Sequence, residues 1–235
     1  ITLMLPYEDV IWVGEELQRR FGLPFWQFAL TATDANRFTL RMARMITGRP
    51  KVLVFNYCYH GSVDETFIIL DEEGTPMSRP NNMGPQVDPR ETTKVIEFND
   101  IAALETALSA RDVAAVLAEP VMTNIGIIHP DDGYHDALRE LTRKYGTYLI
   151  IDETHTICAG PGGYTTSRGL EPDFLTLGKP LAGGVPAAVY GFTEQVADEF
   201  SARLVLEDSD VGGIGGTLAG NALSIAAMKA TLQNV

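Results

Sequence analysis

Short apolar runs alternate with longer amphipathic segments along most of this chain, and this alternation restricts the folds open to it. Apolar spacing predicts helices over residues 7–21, 34–47, 100–110, 133–145, 193–204 and 219–232. The apolar runs between them predict strands over residues 26–30, 52–55, 113–118, 148–152, 174–177 and 187–192. We therefore predict an α/β fold with a mostly parallel central sheet and flanking helices.

Residues 71–89 interrupt the alternation. This stretch is polar, rich in proline and glycine, and without periodicity, so we expect a long surface excursion. With 235 residues, 45% of them hydrophobic, the chain is long enough for one substantial domain.

Charge and hydropathy exclude several classes of partner. A formal net charge of −13 without a basic patch argues against a nucleic-acid partner. No apolar run approaches the length of a membrane span, and the chain start at Ile1 lacks the basic flank of a signal peptide. We therefore expect no membrane association and a cytoplasmic location.

Cysteine and histidine spacing indicates no metal centre. Cys58 and Cys158 form no CxxC pair, and the histidines at positions 60, 129, 135 and 155 are scattered. Even if His60 and His155 approach each other at the strand ends, two imidazoles without a third ligand are a poor zinc site. We predict neither a disulfide framework nor a metal.

Lys179 is the most unusual charged residue in the sequence. The apolar run at 174–177 ends in Gly178, Lys179 and Pro180, whereas the other lysines lie at strand starts or on polar helix faces. A lysine at the end of a buried strand is desolvated, which lowers its pKa and frees its amine to attack a carbonyl carbon. The alternative is a lysine that caps the strand and extends to water.

Asp152 ends the preceding apolar run in the same manner. If the two strands are parallel, both residues open on the sheet edge where α/β folds bind ligands. Pyridoxal phosphate (PLP) enzymes need this pair, with lysine on the cofactor aldehyde and a carboxylate that keeps the ring nitrogen protonated. A buried Asp152–Lys179 ion pair is the alternative.

A candidate phosphate site precedes the helix predicted at 34–47. Small and hydroxyl residues lead into it, and the first-turn amides of a helix favour an anion. Thr31 or Thr33 as a plain N-cap is the alternative reading.

Tyr59, His60 and Gly61 follow the strand predicted at 52–55. An aromatic residue beside a glycine turn is able to lie flat on a ligand ring. The alternatives are a packing role for Tyr59 and a hydrogen-bonded turn histidine at His60.

In their order along nearly the whole chain, these segments resemble the class III aminotransferases of fold type I. This PLP family includes ω-transaminases, ornithine and 4-aminobutyrate aminotransferases, and glutamate-1-semialdehyde aminomutase. The matching positions are Thr31-Ala32-Thr33-Asp34-Ala35, Tyr59-His60-Gly61, Glu119-Pro120, Asp152-Glu153, Lys179 and Thr217.

The resemblance implies a set of site residues. The catalytic residues would be Lys179, which forms an aldimine with PLP, and Asp152, which pairs with the ring nitrogen. The cofactor-binding residues would be Ala32, Thr33, Tyr59, His60, Glu119, Asp152, Thr154, Lys179 and Thr217.

Individual roles also follow from the resemblance. Ala32 and Thr33 would contact the phosphate, Tyr59 would stack on the ring, and Glu119 would lie in the wall of the site. Thr217 would reach the cofactor of a partner subunit, which implies a homodimer with shared active sites.

Some positions depart from the family pattern. Ala32 replaces a glycine, so the turn must avoid positive φ or accept strain. Asp34 replaces a glutamate, and Thr154 replaces a branched aliphatic residue whose contact with the ring its methyl is able to keep. His155 adds a polar group near the site. These changes indicate a distinct subfamily rather than an inactive enzyme, because Lys179 and Asp152 are both present.

The resemblance further implies that residues 1–235 are the PLP-binding large domain, without the family's N-terminal segment and C-terminal small domain. The expected reaction moves an amino group between an amine or amino acid and a keto acid or aldehyde, in ping-pong half-reactions.

Other functions remain open from the sequence. An aminomutase of the glutamate-1-semialdehyde type, a racemase, a decarboxylase or a phospho-lyase would use the same lysine and aspartate, and a non-catalytic PLP-binding fragment is a further alternative. A nicotinamide-binding Rossmann domain would need GxGxxG after its first strand. The run Gly212-Gly213-Ile214-Gly215-Gly216 comes too late in the chain and follows acidic residues.

Overall fold

The structure, a computed structural model, describes residues 7–203 and 213–235. Its strands are β1 (Phe25–Ala29), β2 (Lys51–Phe55), β3 (Ile68–Leu70), β4 (Pro76–Ser78), β5 (Thr93–Ile96), β6 (Val113–Ala118), β7 (Tyr148–Asp152), β8 (Phe174–Leu177) and β9 (Ala188–Phe192). Its α-helices are α1 (Glu8–Phe21), α2 (Ala32–Thr47), α3 (Pro89–Thr92), α4 (Ile101–Ser109), α5 (Tyr134–Tyr145), α6 (Gly163–Arg168), α7 (Glu194–Ser201) and α8 (Ala222–Asn234).

Seven strands form one central sheet in the order β1-β9-β8-β7-β6-β2-β5. The pairs β5–β2, β2–β6, β6–β7 and β7–β8 are parallel, and β9 runs antiparallel to both of its neighbours. Every residue of β6 and β7 is buried, as expected for central strands that helices cover on both faces. The predicted mostly parallel α/β sheet is therefore confirmed.

Two helices start where a side chain caps them, and not where the apolar pattern placed the start. Thr31 Oγ1 accepts a hydrogen bond from Asp34 N at 3.1 Å, so α2 begins at Ala32. Asn221 Oδ1 accepts from Ser224 N at 3.0 Å, so α8 begins at Ala222 and not at residue 219. The end predicted at residue 204 lies outside the described residues, and α7 ends at Ser201.

The pattern missed β5 and the small β3–β4 hairpin, which places β4 inside the predicted excursion at 71–89. In β5 a lysine interrupts the apolar run: Lys94 Nζ lies 2.5 Å from Asp112 Oδ1 and 2.7 Å from Ala107 O. A polar residue that finds its partners only in the folded chain weakens the local signal of a strand.

Among the helices of the described residues, none is long and apolar enough to cross a membrane.

Candidate active site

A cleft of about 330 Å³ opens beside the carboxyl ends of β7 and β8. Parallel pairing of Asp152 with Thr176 brings these two ends together, which confirms the arrangement expected from the apolar runs. Of the predicted site residues, the cleft is lined by Ala32, Thr33, Tyr59, Glu119, Asp152, Thr154 and Lys179.

The Asp152 carboxylate is buried and receives four hydrogen bonds. Its Oδ2 lies 2.8 Å from both Asn36 Nδ2 and His60 Nδ1. Its Oδ1 accepts from Thr154 N at 3.0 Å and from Thr154 Oγ1 at 2.6 Å. Four donors occupy the usual hydrogen-bonding capacity of one carboxylate.

Burial opposes ionisation of Asp152, but the hydrogen bonds and charge of His60, with Thr154 and Asn36, outweigh it and lower its pKa to about 2. Burial also lowers the pKa of His60, yet Cys58 and the Asp152 carboxylate raise that pKa above its ordinary value. The hydrogen bond and the charge of each partner therefore favour the ionised form of the other, which is an Asp152 carboxylate paired with a His60 imidazolium beside the cleft.

His60 does not line the cleft as expected for a cofactor contact. It is almost fully buried behind Asp152, so it acts on the cleft through that carboxylate. The alternative of a hydrogen-bonded turn histidine describes its position better. Its Nε2 has no hydrogen-bond partner among the described residues.

Lys179 differs from the buried lysine that the sequence predicted. Its side chain is exposed at the cleft, because the chain leaves the sheet at Gly178 and Lys179 adopts a left-handed φ of 43°. Within the described ranges no carboxylate oxygen lies within 4 Å of Nζ, so the alternative Asp152–Lys179 ion pair does not form. A non-glycine residue at positive φ is uncommon and concentrates at functional sites.

The N-terminus of α2 forms a second wall of the cleft. A Cβ at Gly178 would lie 3.0 Å from Ala32 Cβ, so this glycine allows α2 to approach the end of β8 closely. Ala32 has helical backbone, which resolves the strain expected from an alanine in place of glycine. In the described structure the amides of Ala32 and Thr33 have no protein acceptor and lie at the positive end of a 16-residue helix.

Thr33 is a point of contact between that wall and the Tyr59 turn. Its Oγ1 accepts from Ser62 N at 3.1 Å, so its own hydroxyl proton stays free for a ligand. Gly61 has a φ of 76°, and a Cβ there would lie 2.0 Å from Thr33 Oγ1. Glycine is therefore required at 61 to seat the turn that presents Tyr59, which is 44% exposed.

Glu153, the neighbour of Asp152, has a structural role. Its carboxylate is buried and accepts from Tyr164 N at 2.7 Å and Thr165 N at 2.6 Å, at the start of α6. Burial raises the pKa of Glu153 in spite of these hydrogen bonds. The two adjacent acids thus serve different purposes, one at the cleft and one beneath α6.

Thr217 is exposed and does not line the cleft of its own chain. Its predicted role toward a partner subunit stays a prediction.

Sequence analysis missed Asn36, which is fully buried. Its Oδ1 accepts from Thr176 Oγ1 at 2.8 Å, and its Nδ2 donates to Asp152, so it joins these two residues. A polar residue on the apolar face of α2 was the only signal for it.

Cys58 is buried and Cys158 is exposed, and both are free. The described portion of the chain contains no group of His, Cys, Asp and Glu residues that could hold a metal ion.

Comparison with known proteins decides the family. The family model described as Aminotransferase class-III matches residues 2–235. The chain belongs to the class III aminotransferase family. A glutamate-1-semialdehyde 2,1-aminomutase of Neisseria meningitidis serogroup C is 33% identical to it over 234 residues, which is 97% of this chain and 53% of the relative.

Solved structures of this family share the fold. A glutamate-1-semialdehyde aminomutase from Pseudomonas aeruginosa PAO1 is similar with a TM-score of 0.94 and 54% identity, over 100% of this chain and 52% of its own. A lysine-to-alanine variant of that enzyme has been solved in complex with PMP. An ω-transaminase from Sphaerobacter thermophilus gives a TM-score of 0.87 and 28% identity, over 99% of this chain and 55% of its own.

The resemblance to class III aminotransferases of fold type I is thus confirmed, both for the family and for the fold. The chain spans about half the length of the relatives it matches. That residues 1–235 are the large domain of a longer enzyme stays a prediction.

Proposed function

We propose that this class III aminotransferase uses PLP to move an amino group between an amine or amino acid and a keto acid or aldehyde. One observation carries the proposal: the Lys179 amine and the buried Asp152 carboxylate line the same cleft. A primary amine and a fixed carboxylate are what PLP chemistry requires of a protein.

The residues present fit the cofactor. The free amides of Ala32 and Thr33 suit its phosphate, and the half-exposed ring of Tyr59 suits stacking on its pyridine ring. Asp152 suits its protonated ring nitrogen. When bound, PLP supplies an electrophilic carbon and a ring that accepts the electrons of a broken bond.

Each side chain then has a physical task. Lys179 Nζ would hold the cofactor, and once a substrate amine has taken its place the Lys179 amine would take the proton from the substrate carbon and deliver it to the cofactor. Asp152 holds the ring proton in place, since a carboxylate kept ionised by His60 and Asn36 favours a cation beside it. Tyr59 fixes the orientation of the ring.

An aminomutase is the second candidate, and the similarity to glutamate-1-semialdehyde aminomutases from Neisseria and Pseudomonas favours it. Such an enzyme moves an amino group within one molecule. The same lysine and aspartate serve both reactions, so the choice depends on whether the first product leaves the cleft before the second half-reaction.

The cofactor assignment is tested by the visible spectrum of the full-length protein with added PLP, beside Lys179→Ala. We expect a yellow band that borohydride removes, with the label mapped to Lys179. Lys144→Ala is the control, because Lys144 lies on α5 and binds Glu105. A band that persists in Lys179→Ala would overturn the assignment.

A second experiment separates the two reactions. Conversion of glutamate 1-semialdehyde alone, without an added amino donor or acceptor, would identify an aminomutase. Conversion only when a separate amine and a separate keto acid are both supplied, with parallel lines in a double-reciprocal plot, is the result expected for a transaminase.

We further propose a homodimer in which Thr217 serves the cofactor of the partner subunit. Its exposure outside its own cleft supports this. A mixed dimer of Lys179→Ala with Thr217→Val tests it, because one of its clefts would carry both changes and the other neither. Thr217→Val homodimers should be defective at both sites, whereas the mixed dimer should keep one fully normal site. Two defective sites in the mixed dimer would mean that Thr217 acts within its own chain, and normal sites in the Thr217→Val homodimer would mean that it does not act at the cofactor.

A further inference from the structure

Glu119, Thr123 and His155 form a polar cluster on the side of the cleft that the proposed function leaves unused. Glu119 directly follows β6, and His155 lies shortly after β7, so the two adjacent strand ends bring them together. Glu119 and His155 both line the cleft that contains Lys179. The Glu119 carboxylate is 95% buried, with 5% of the residue exposed.

Thr123 connects the two groups. Its hydroxyl lies 2.6 Å from Glu119 Oε2, its backbone N donates to the same oxygen at 3.3 Å, and His155 Nδ1 hydrogen-bonds to the hydroxyl. A threonine hydroxyl has one proton, and an ionised carboxylate only accepts. Thr123 therefore donates to Glu119, and His155 Nδ1 must donate to Thr123.

For a neutral imidazole, whose Nδ1 also lies 3.7 Å from Glu119 Oε2, this assignment determines the tautomer. With the proton on Nδ1, Nε2 carries a lone pair and is a hydrogen-bond acceptor. Among the residues described, nothing donates to Nε2. The Thr123 hydroxyl thus links the buried Glu119 carboxylate to the imidazole ring of His155, which lines the cleft.

Glu119 offers a second acceptor. Its Oε1 is buried and has no hydrogen-bond partner in the described structure, although it belongs to a cleft-lining residue. A buried acceptor without a donor is unfavourable until a ligand supplies one. Two unpaired acceptors on residues that line one side of a cleft favour a ligand group that donates hydrogen bonds and disfavour a second carboxylate.

We propose that Glu119, Thr123 and His155 form a substrate-binding relay that receives an N–H or O–H donor of the substrate, an ammonium or a hydroxyl group. Thr123 is a positioning residue that holds the tautomer of His155. The proposal rests on the proposed function, because it places this donor on the molecule that reacts at Lys179.

Aminooxy compounds test the preference, because each reacts with protein-bound PLP to form an oxime and releases Lys179 Nζ as a free amine, with loss of the yellow band. The three probes are 2-(aminooxy)ethanamine, which carries an ammonium group, (aminooxy)acetic acid, which carries a carboxylate, and O-propylhydroxylamine, which is apolar. Each second-order rate constant is divided by that of the same probe with free PLP.

We expect the corrected rate of the ammonium probe to exceed that of the carboxylate probe by at least about tenfold in the full-length protein. Glu119→Gln and His155→Phe should reduce this ratio toward one, Thr123→Val should reduce it partly, and Thr123→Ser should retain it. A ratio of one or below in the unchanged protein, or a ratio that none of the variants changes, overturns the proposal.

The tautomer is measured separately by long-range ¹H–¹⁵N correlation spectra of ¹⁵N-histidine-labelled protein. His155 should carry its proton on Nδ1, as it should in Thr123→Ser, and should shift toward the Nε2–H form in Thr123→Val. A proton on Nε2 in the unchanged protein overturns the relay. Since this readout needs no cofactor, absence of a yellow band would refute the proposed function without hiding the result for the relay.

Discussion

His60 Nδ1 lies 2.8 Å from Asp152 Oδ2, and both side chains are buried directly beneath the cleft. The two residues are separated by 92 positions in sequence. The histidine therefore supports the charge of Asp152 from the side away from the cleft. The consequence is that His60 should affect cofactor binding without touching the cofactor.

His60→Gln should weaken PLP binding by about tenfold, because removal of a charge-assisted hydrogen bond of about 1.5–3 kcal/mol leaves Asp152 less firmly ionised. Absorbance titration with PLP measures the affinity. His129→Gln is the control, since His129 is exposed and does not line the cleft. Equal affinities in the two variants would contradict the role of His60.

The same pair predicts how stability depends on pH. The pKa of Asp152 is lowered to about 2, so its contribution to the free energy of unfolding is present above its ordinary pKa of about 3.9 and is lost as the pH falls toward 2. The pKa of His60 is raised, so its contribution is present below about 6.5 and is lost as the pH rises past its folded value.

Urea unfolding across this pH range checks both signs. His60→Gln should flatten the alkaline part of the profile relative to His129→Gln. A profile that is the same in both variants would mean that the pair contributes nothing through titration.

Thr154 occupies Asp152 Oδ1 with a hydroxyl that is free to rotate, whereas Asn36 is held by Thr176. Since four donors already surround the carboxylate, a ring N–H must displace one of them. Thr154→Val should tighten PLP binding by about three- to tenfold, for one hydrogen bond of about 1 kcal/mol. Thr154→Ser, which keeps the hydroxyl, should bind as the unchanged protein does; weaker binding by Thr154→Val would refute the argument.

Asn36 links Thr176 to Asp152 in the core. Asn36→Leu should lower the free energy of unfolding by about 1–3 kcal/mol for each polar group left unpaired, measured in urea. Thr176→Val removes the neighbouring hydroxyl and should also destabilise. If the three side chains form one network, the double variant should lose less than the sum of the single losses. Additive losses would show that the contacts are independent.

Gly163 and Gly169 provide a matched pair at the two ends of α6. Both have a φ of 64°, but a Cβ at Gly163 would lie 2.4 Å from Glu153 Oε2, and at Gly169 nothing lies within 4 Å. Gly169→Ala should cost about 1–2 kcal/mol from backbone strain alone. Gly163→Ala should cost a further 1–3 kcal/mol, about what overpacking costs. Similar thermal stability of the two variants would contradict the contact.

The amino-acid sequence determined the strand and helix alternation, the mostly parallel sheet and the placement of Asp152 near a strand end. These are local properties, because apolar spacing within 5 to 15 residues reports which faces of an element are buried. The order of the motifs was sufficient to indicate the family. The apolar pattern of the sequence did not predict β5, in which Lys94 pairs with Asp112.

The tertiary structure alone decided how the chemistry is arranged. Lys179 looked buried from its apolar neighbours, yet it is exposed because the chain turns out of the sheet at a left-handed φ. Two of the four donors to Asp152 come from distant residues, Asn36, which is 116 positions away, and His60. Hydrogen bonds between distant residues leave no periodic signal, since they depend on how whole elements pack and not on the residues beside them in the chain.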